Sequence, residues 1–224
     1  MVVREKDTVD TLSRKVRLAT ILGTLQSTLT DFQFLSEEWK KNTEEERLLG
    51  VSLTGIMDNK ILNGTQVIHS EKQLLSNILE QLKDIARETN EALSKQLGIT
   101  PSVAITCVKP SGTVSQLVDS ASGIHSRHSP YYIRRIRMDK KDPIYSFLKD
   151  KGIPVEDEAF RPESTAVFSF PMKAPEGAVT RDDMTALQQL ELWLIYQRHW
   201  CEHKPSVTIT VKDDEWIEVG AWVW

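Results

Sequence analysis

Cysteine is scarce in this 224-residue sequence: Cys107 and Cys201 are the only two, and neither belongs to a Cys-x-x-Cys pair. Two isolated cysteines without a secretory signal are typical of a reducing cytosol, where buried free thiols are the usual state. Cys201 lies close to His203, but neighbours this near in sequence rarely face each other, so a structural thiol is favoured over a Cys–His nucleophile. We therefore expect a cytoplasmic protein with inert cysteines.

Long apolar runs are also lacking, and none approaches the roughly 20 residues that cross a bilayer. The first seven residues are polar and do not form the apolar part of a signal peptide. Basic residues are not in excess, since the formal net charge is −4. That charge argues against bulk attraction to nucleic acid or to an anionic membrane. The remaining composition, 40% hydrophobic and 27% charged, predicts a soluble globular protein that must meet any anion locally.

The hydrophobic pattern predicts long helices that alternate with short apolar strands. Apolar residues recur every three or four positions in the helical stretches, and short, partly β-branched runs lie between them. The predicted helices are 7–32, 36–48, 70–97, 142–151 and 180–201, and the predicted strands are 49–55, 102–108, 131–137, 165–170 and 206–211. This alternation indicates an α/β protein with parallel strands. The apolar end 218–224 is more typical of an interrupted chain than of a natural terminus.

A loop directly after the predicted strand 102–108 offers the best candidate site. It reads Lys109-Pro110-Ser111-Gly112-Thr113-Val114-Ser115. Ligands of α/β sheets bind at the carboxyl ends of strands, so the position suits a site. Gly112 lets the backbone approach a ligand or adopt a positive φ, and successive N–H groups with nearby hydroxyls form an anion nest. The spacing is not that of a Walker motif, and an ordinary strand-to-helix turn uses the same residues, so both interpretations stay open here.

Cations and aromatics concentrate downstream of the loop, in residues 122–137. The candidates for secondary anion contacts are Lys109 and Ser115 in the loop itself, and His125 and Arg127 downstream of it. The alternative for the arginines at 135 and 137 is a strand on which they face solvent or pair with carboxylates. His125 and His128 lie three positions apart without an evident third ligand, so we predict no metal site.

Several segments taken together resemble the adenosylcobalamin-dependent (class II) ribonucleotide reductases, especially the monomeric ribonucleoside-triphosphate reductases. They are 48–55, 108–115, 122–125 with 131–135, 165–171, 191–194 and 200–208, in the order of the family. The resemblance implies a ten-stranded α/β barrel made of two antiparallel five-stranded halves. Residues 1–224 would form the later portion of that barrel, as one partial catalytic domain.

The resemblance also implies an activity and a site. In this family adenosylcobalamin generates a cysteine thiyl radical, and the ribose 2′-hydroxyl is replaced by hydrogen while a cysteine pair, restored by a thioredoxin-type dithiol, supplies electrons. The family's substrate phosphate loop matches Pro110, Ser111, Gly112, Thr113 and Val114. Backbone donors of the last four residues are therefore the expected phosphate contacts.

The departures from the family restrict this expectation. The Asn-Pro-Cys-Gly-Glu finger-loop motif, the effector region, the amino-terminal redox cysteine and the carboxyl-terminal cysteine tail have no counterpart, so no catalytic residue is predicted. We expect a fragment that binds a ribonucleoside triphosphate, is inactive alone and is completed by a separate chain carrying the missing barrel half. Two alternatives stay open: a non-catalytic nucleotide-binding or regulatory module, and an unrelated α/β enzyme of sugar phosphates that uses His125 or His128 as acid–base residue.

Overall fold

The structure is a computed structural model that describes residues 1–65 and 72–224. The chain divides into two compact units, of which the first comprises Met1–Arg127 and Glu176–Trp224 and the second comprises His128–Pro175. The α-helices of the described chain are α1 (Val9–Gln26), α2 (Glu37–Glu46), α3 (Lys72–Leu97), α4 (Val114–Leu117), α5 (Pro143–Asp150), α6 (Ala186–His199) and α7 (Trp216–Val223). Its strands are β1 (Val51–Ser52), β2 (Thr106–Cys107), β3 (Tyr131–Asp139), β4 (Val155–Asp157) and β5 (Thr165–Lys173). The assignment of the whole chain to one barrel domain stays a prediction.

Helix α1 begins two residues later than predicted and ends six residues earlier. Thr8 caps its start through a reciprocal pair of hydrogen bonds with Thr11. At its end, the hydroxyls of Ser27 and Thr28 donate to the carbonyls of Thr24 and Leu25. Such local side-chain bonds compete with the helical ladder and favour its termination. The predicted apolar positions beyond this point lie outside the helix, and Leu29 is 73% exposed.

The predicted helices 36–48 and 70–97 form as α2 and α3. Ser36 occupies the N-cap position of α2, although its side chain makes no capping hydrogen bond. Helix α3 ends at Leu97 and is followed by Gly98 at φ +68°, as the sequence predicted. The predicted start of this helix, 70–71, lies outside the described residues. In the part of the chain that the structure describes, no helix is long and apolar enough to cross a membrane.

Strands β1 and β2 form within the predicted strands 49–55 and 102–108 and pair in parallel, although each has only two residues. Val51 pairs with Thr106, and Ser52 pairs with Cys107. The short sheet is packed inside the core of the first unit, whose fully buried side chains include Leu53, Ile56, Leu62, Leu79, Leu82, Tyr196 and Trp200. The carboxyl ends of both strands are therefore held by the buried core.

Helix α6 starts six residues later than predicted and buries a different face. Thr185 caps it in a capping box with Gln188, which fixes the start at Ala186. The spacing of the sequence predicts an apolar side made of Met184, Leu187, Leu190 and Leu194, but the three leucines are only half-buried. The buried residues of the helix are instead Ala186, Gln189, Leu192 and Tyr196. The phenol of Tyr196 donates to the carbonyl of Leu62 at 2.9 Å, so a polar partner allows its burial.

The predicted strand 206–211 does not form in the described structure. Its side chains nevertheless alternate as in a strand, with half-buried Val207, Ile209 and Val211 between exposed neighbours. A strand requires the backbone of a neighbour, and none of the described strands pairs with this segment. The predicted strand is therefore wrong, although the alternating burial of the segment is the pattern of an extended chain.

The second unit is a three-stranded antiparallel sheet in the order β3-β5-β4, with helix α5 in its chain. The sequence predicted β3, β5 and α5 with small errors at their ends, and it missed β4. The prediction of parallel strands is wrong for this unit. Arg135 forms an ion pair with Glu156, and Arg137 lies 3.5 Å from Glu158. These two arginines therefore follow the alternative in which alternate cations of the strand pair with carboxylates.

Candidate substrate phosphate site

The candidate loop leaves the core directly after β2. Cys107 and Val108 are buried, whereas residues 109–114 are half-buried or exposed. The loop then closes into the single turn α4, because the Ser115 N–H donates to the Ser111 carbonyl at 2.9 Å. The strand, the loop and the turn follow one another as the sequence predicted.

Three consecutive backbone donors of the loop are free for a ligand. Within residues 1–65 and 72–224, the N–H groups of Gly112, Thr113 and Val114 donate no hydrogen bond to the protein. All three residues are exposed. First-turn N–H groups have no acceptor inside the turn itself, and adjacent ones form a nest that binds anions. These groups are therefore available to oxygens of a phosphate.

A glycine at position 112 could serve a positive φ or the close approach of a ligand, and the structure distinguishes these two uses. It is not one of the glycines with positive φ, so the turn does not need its conformational freedom. A Cβ at this position would meet no protein atom within 4 Å, so packing does not need a glycine either. A side chain at Gly112 would therefore extend into open space. Close approach by a ligand is the remaining use.

Ser111 and Ser115 are engaged within the protein. The Ser111 hydroxyl lies 2.6 Å from the Thr54 hydroxyl, and the Ser111 N–H donates to Ser122 Oγ at 3.2 Å. Ser115 is buried, and its hydroxyl donates to the Ser111 carbonyl. Pro110 has no N–H to offer and shapes the entry to the loop. Of the five predicted phosphate residues, Gly112, Thr113 and Val114 thus carry the free backbone donors.

The secondary candidates differ in what they can contribute. Lys109 is exposed, and its N–H donates to Ser52 Oγ at 3.0 Å. His125 is half-buried, with Nδ1 2.9 Å from the Ser122 carbonyl. Arg127 corrects an expectation, because it is 4% exposed and lies inside the protein. A secondary anion contact was predicted at this position, and the structure places an internal ion pair there instead.

The partners of Arg127 are residues that the sequence did not identify. Its Nε and one terminal nitrogen bind the two carboxylate oxygens of Asp58 at 2.9 Å each, and its other terminal nitrogen binds Asp119 at 2.9 Å. Asp58 and Thr54 are far from the loop in sequence, and no spacing rule connects them with it. Thr54 and Asp58 both follow β1 in the chain. This position is the one feature of the sequence that could have linked them to the loop, since carboxyl ends of neighbouring parallel strands meet at one edge.

Both cysteines are free, buried thiols, as predicted. Burial raises the pKa of Cys107, and it raises the pKa of Cys201 to about 12. A thiolate is the reactive form of cysteine, so both side chains are unreactive in this fold. Among the described residues, no group of three or more His, Cys, Asp or Glu side chains could hold a metal ion.

Comparisons with known proteins identify relatives of this chain. No family model matches it. It is 34% identical over 175 residues to the adenosylcobalamin-dependent ribonucleoside-triphosphate reductase of Euglena gracilis, which covers 77% of this chain and 23% of that protein. Identity to the Lactobacillus leichmannii enzyme of the same name is 28% over 213 residues, covering 83% of this chain and 28% of the relative.

A solved structure shows the same fold. The crystal structure of a B12-dependent (class II) ribonucleotide reductase matches with a TM-score of 0.77 and 24% identity, over 95% of this chain and 32% of that one. The predicted fold class, a portion of the reductase fold, is thereby confirmed. The chain spans about a quarter of the length of the curated relatives it matches. Over the section that it shares with them, the chain is homologous to the adenosylcobalamin-dependent ribonucleoside-triphosphate reductases, and its fold is that of part of a class II ribonucleotide reductase.

Proposed function

We propose that the chain is one section of a class II ribonucleoside-triphosphate reductase and contributes the loop that binds the substrate phosphates. The observation that carries this proposal is the set of three free N–H groups at Gly112, Thr113 and Val114, presented at the carboxyl end of a buried strand. The names of the relatives favour a ribonucleoside triphosphate as substrate.

The loop binds and orients the substrate, and it performs no bond-breaking step. The N–H groups of Gly112, Thr113 and Val114 donate to phosphate oxygens, and charge-assisted hydrogen bonds of this kind are stronger than neutral ones. Exposed Lys109 adds a positive charge beside them. These local donors offset the net charge of −4, which on its own would repel a polyanion.

Adenosylcobalamin would supply the radical in the complete enzyme, as the names of the relatives indicate. Two cavities of the first unit measure about 510 and 390 Å³, and neither is lined by the phosphate loop. Cavities of this size hold drug-sized ligands, and a corrinoid with its adenosyl group is much larger. Neither of these two cavities could enclose the whole cofactor. We assign its binding to parts of the enzyme outside this chain.

The electrons must also come from outside this chain. Cys107 and Cys201 are buried, and the pKa of each is raised, so they are unsuited to thiol–disulfide exchange. The chain alone is accordingly inactive. A second polypeptide with the finger loop and the redox cysteines, and a thioredoxin-type dithiol, would complete the system.

Two assays test the proposal. In the first, the purified chain is incubated with adenosylcobalamin, a ribonucleoside triphosphate and a dithiol, and the expected result is no deoxyribonucleotide. Turnover by the chain alone would overturn its assignment as an incomplete section. In the second, the chain is coexpressed with the remaining sections of the Lactobacillus leichmannii relative, and restored reduction is expected.

The same coexpression is repeated with the Gly112→Val variant, and its reduction rate is compared with that of the parent chain. Its side chain adds bulk in the open space at Gly112, within the run of N–H donors, so reduction should fall at least about 10-fold, with substrate KM raised. Inactivity of every combination would favour the alternative of a non-catalytic nucleotide-binding module.

A further inference from the structure

We propose that Thr54, supported by the buried ion pair of Asp58 and Arg127, holds the phosphate loop in its binding conformation before the substrate arrives. These are positioning residues, since they act through Ser111 and do not reach the exposed donors. The inference rests on the proposed function of the loop and names the residues that preorganise it.

Thr54 connects three segments of the chain through one hydroxyl group. It is 5% exposed, and its Oγ1 donates to the Ala121 carbonyl at 3.0 Å and accepts the Gly123 N–H at 3.0 Å. Its third contact is the Ser111 hydroxyl, 2.6 Å away. A hydroxyl has one proton and two acceptor sites, so these contacts use its full capacity. With the Thr54 proton assigned to the Ala121 carbonyl, the short bond is assigned as a donation from Ser111 to Thr54.

Ser111 is in turn held from a second side. Its N–H donates to Ser122 Oγ at 3.2 Å, and the two hydroxyls lie 3.4 Å apart. Ser111 directly precedes Gly112, the first of the three free donors. The conformation in which those donors point outward is therefore set by the hydroxyls of Thr54 and Ser122, behind the loop.

The ion pair fixes the segment to which Thr54 is bound. Asp58 is 2% exposed and Arg127 is 4% exposed, and the guanidinium binds both carboxylate oxygens. Asp58 Oδ2 also accepts the Ala121 N–H at 2.8 Å. A bidentate arginine–carboxylate pair imposes geometry as well as energy, and a buried pair does so without competition from water. The Ala121 backbone is thus held on one side by Asp58 and on the other by Thr54.

Asp119 extends this arrangement to the turn that follows α4. Its carboxylate binds Arg127 at 2.9 Å, and its backbone has the left-handed φ of +44° that a side chain rarely adopts. The ion pair therefore stabilises an unusual backbone conformation only a few residues after the loop. Preorganisation of this kind increases affinity by lowering the ordering cost of binding.

The test compares Thr54→Val with Thr54→Ser in the full chain. Valine keeps the shape and removes the hydroxyl, whereas serine keeps the hydroxyl. Calorimetric titration with inorganic tripolyphosphate should show Thr54→Val binding at least about 10-fold more weakly than the parent, and Thr54→Ser binding within about 3-fold of it. Equal affinity of Thr54→Val and the parent would overturn the proposal.

Backbone ¹⁵N relaxation without ligand separates this inference from the proposed function. The order parameters of Gly112, Thr113 and Val114 should fall from rigid values near ~0.85 to below about 0.6 in Thr54→Val and stay high in Thr54→Ser. Failure of the parent to bind tripolyphosphate would contradict the function of the loop and leave this readout valid. Unchanged order parameters would contradict the positioning role.

A second variant covers the case in which Thr54→Val does not fold. Ser111→Ala removes the same 2.6 Å contact from the half-buried side of the loop, where the effect on folding is small. The same loss of tripolyphosphate affinity and the same rise in loop mobility are expected. Parent-like values of both in Ser111→Ala would overturn the proposal.

Discussion

The indole N–H of Trp200 donates to the carbonyl of Cys107 at 2.8 Å. This bond joins the residue that follows α6 to the last residue of β2, two positions before the loop begins. Both residues are fully buried. Trp200 therefore holds the carboxyl end of β2, from which the chain enters the loop 109–115. The bond joins two segments that are distant in sequence.

Removal of that indole donor should destabilise the fold. Trp200→Phe keeps most of the buried ring and leaves the Cys107 carbonyl without its partner, which costs about 1–3 kcal/mol for a buried acceptor. The free energy of unfolding from urea denaturation measures this loss. Trp224→Phe is the matched control, since Trp224 is fully exposed and its change should stay within about 0.5 kcal/mol. Equal stability of the parent and Trp200→Phe would contradict the structural role of the bond.

Glu202 should make stability depend on acid pH. Burial acts to raise the pKa of this carboxyl, but hydrogen bonds from the N–H groups of Ile105 and Thr106, and from Arg87, lower the pKa below its usual value. Because the folded pKa is lowered, the stabilisation is complete above the unfolded pKa of about 4.3 and is lost as pH falls through the folded value.

Glu202→Gln tests this dependence against the parent. The variant should be less stable by about 1–3 kcal/mol at neutral pH, and the difference should shrink as the solution is acidified below about pH 4. Urea denaturation across this range measures it, with Glu218→Gln as the control at an exposed carboxylate. A difference that is the same at neutral and acid pH would contradict the assignment.

The same substitution at two glycines beside the site should destabilise the fold at one of them and leave stability unchanged at the other. Gly123→Ala should destabilise the fold by at least about 1 kcal/mol, because its φ is +54° and a Cβ would lie 3.1 Å from the Lys109 carbonyl oxygen. Gly112→Ala should leave stability within about 0.5 kcal/mol, because its surroundings are open. Thermal unfolding of both variants measures this contrast. A loss of stability in Gly112→Ala equal to that in Gly123→Ala would show that the fold requires both glycines.

The cysteines should be inert in the folded chain. With the pKa of Cys201 raised to about 12 and the pKa of Cys107 also raised, little thiolate is present near neutral pH. Reaction with a disulfide reagent at about pH 8 should be at least about 100-fold slower in the native chain than in guanidinium chloride. Rapid labelling of either thiol in the native chain would contradict their burial and reopen a redox role.

The sequence predicted the elements whose signal is local. Periodic apolar residues identified α1 and α3, and the glycine- and proline-bounded runs identified β1 and β2, although not which strands pair. The loop 109–115 was identified from its residues and from its place after a strand. Its free donors could be expected, because a first helical turn always leaves N–H groups without acceptors.

The remaining features depend on contacts that local patterns do not encode. Arg127 looked like a surface cation, and its burial depends on Asp58, 69 positions away in sequence. Tyr196 could be placed inside only with its acceptor at Leu62, which is 134 positions away. The segment 206–211 has the alternation of a strand, but pairing requires a neighbour that this chain does not provide in its described part. Long-range partners thus decided each of these outcomes.

A titration followed by amide NMR tests the central claim, that this chain carries the substrate phosphate loop of a class II reductase. The ¹⁵N-labelled chain is titrated with a ribonucleoside triphosphate, and the N–H signals of Gly112, Thr113 and Val114 are followed. We predict saturable shifts that are largest at these three amides, and inorganic tripolyphosphate should reproduce them. The account would be contradicted if the three signals stayed in place throughout, or if saturable shifts concentrated elsewhere in the chain.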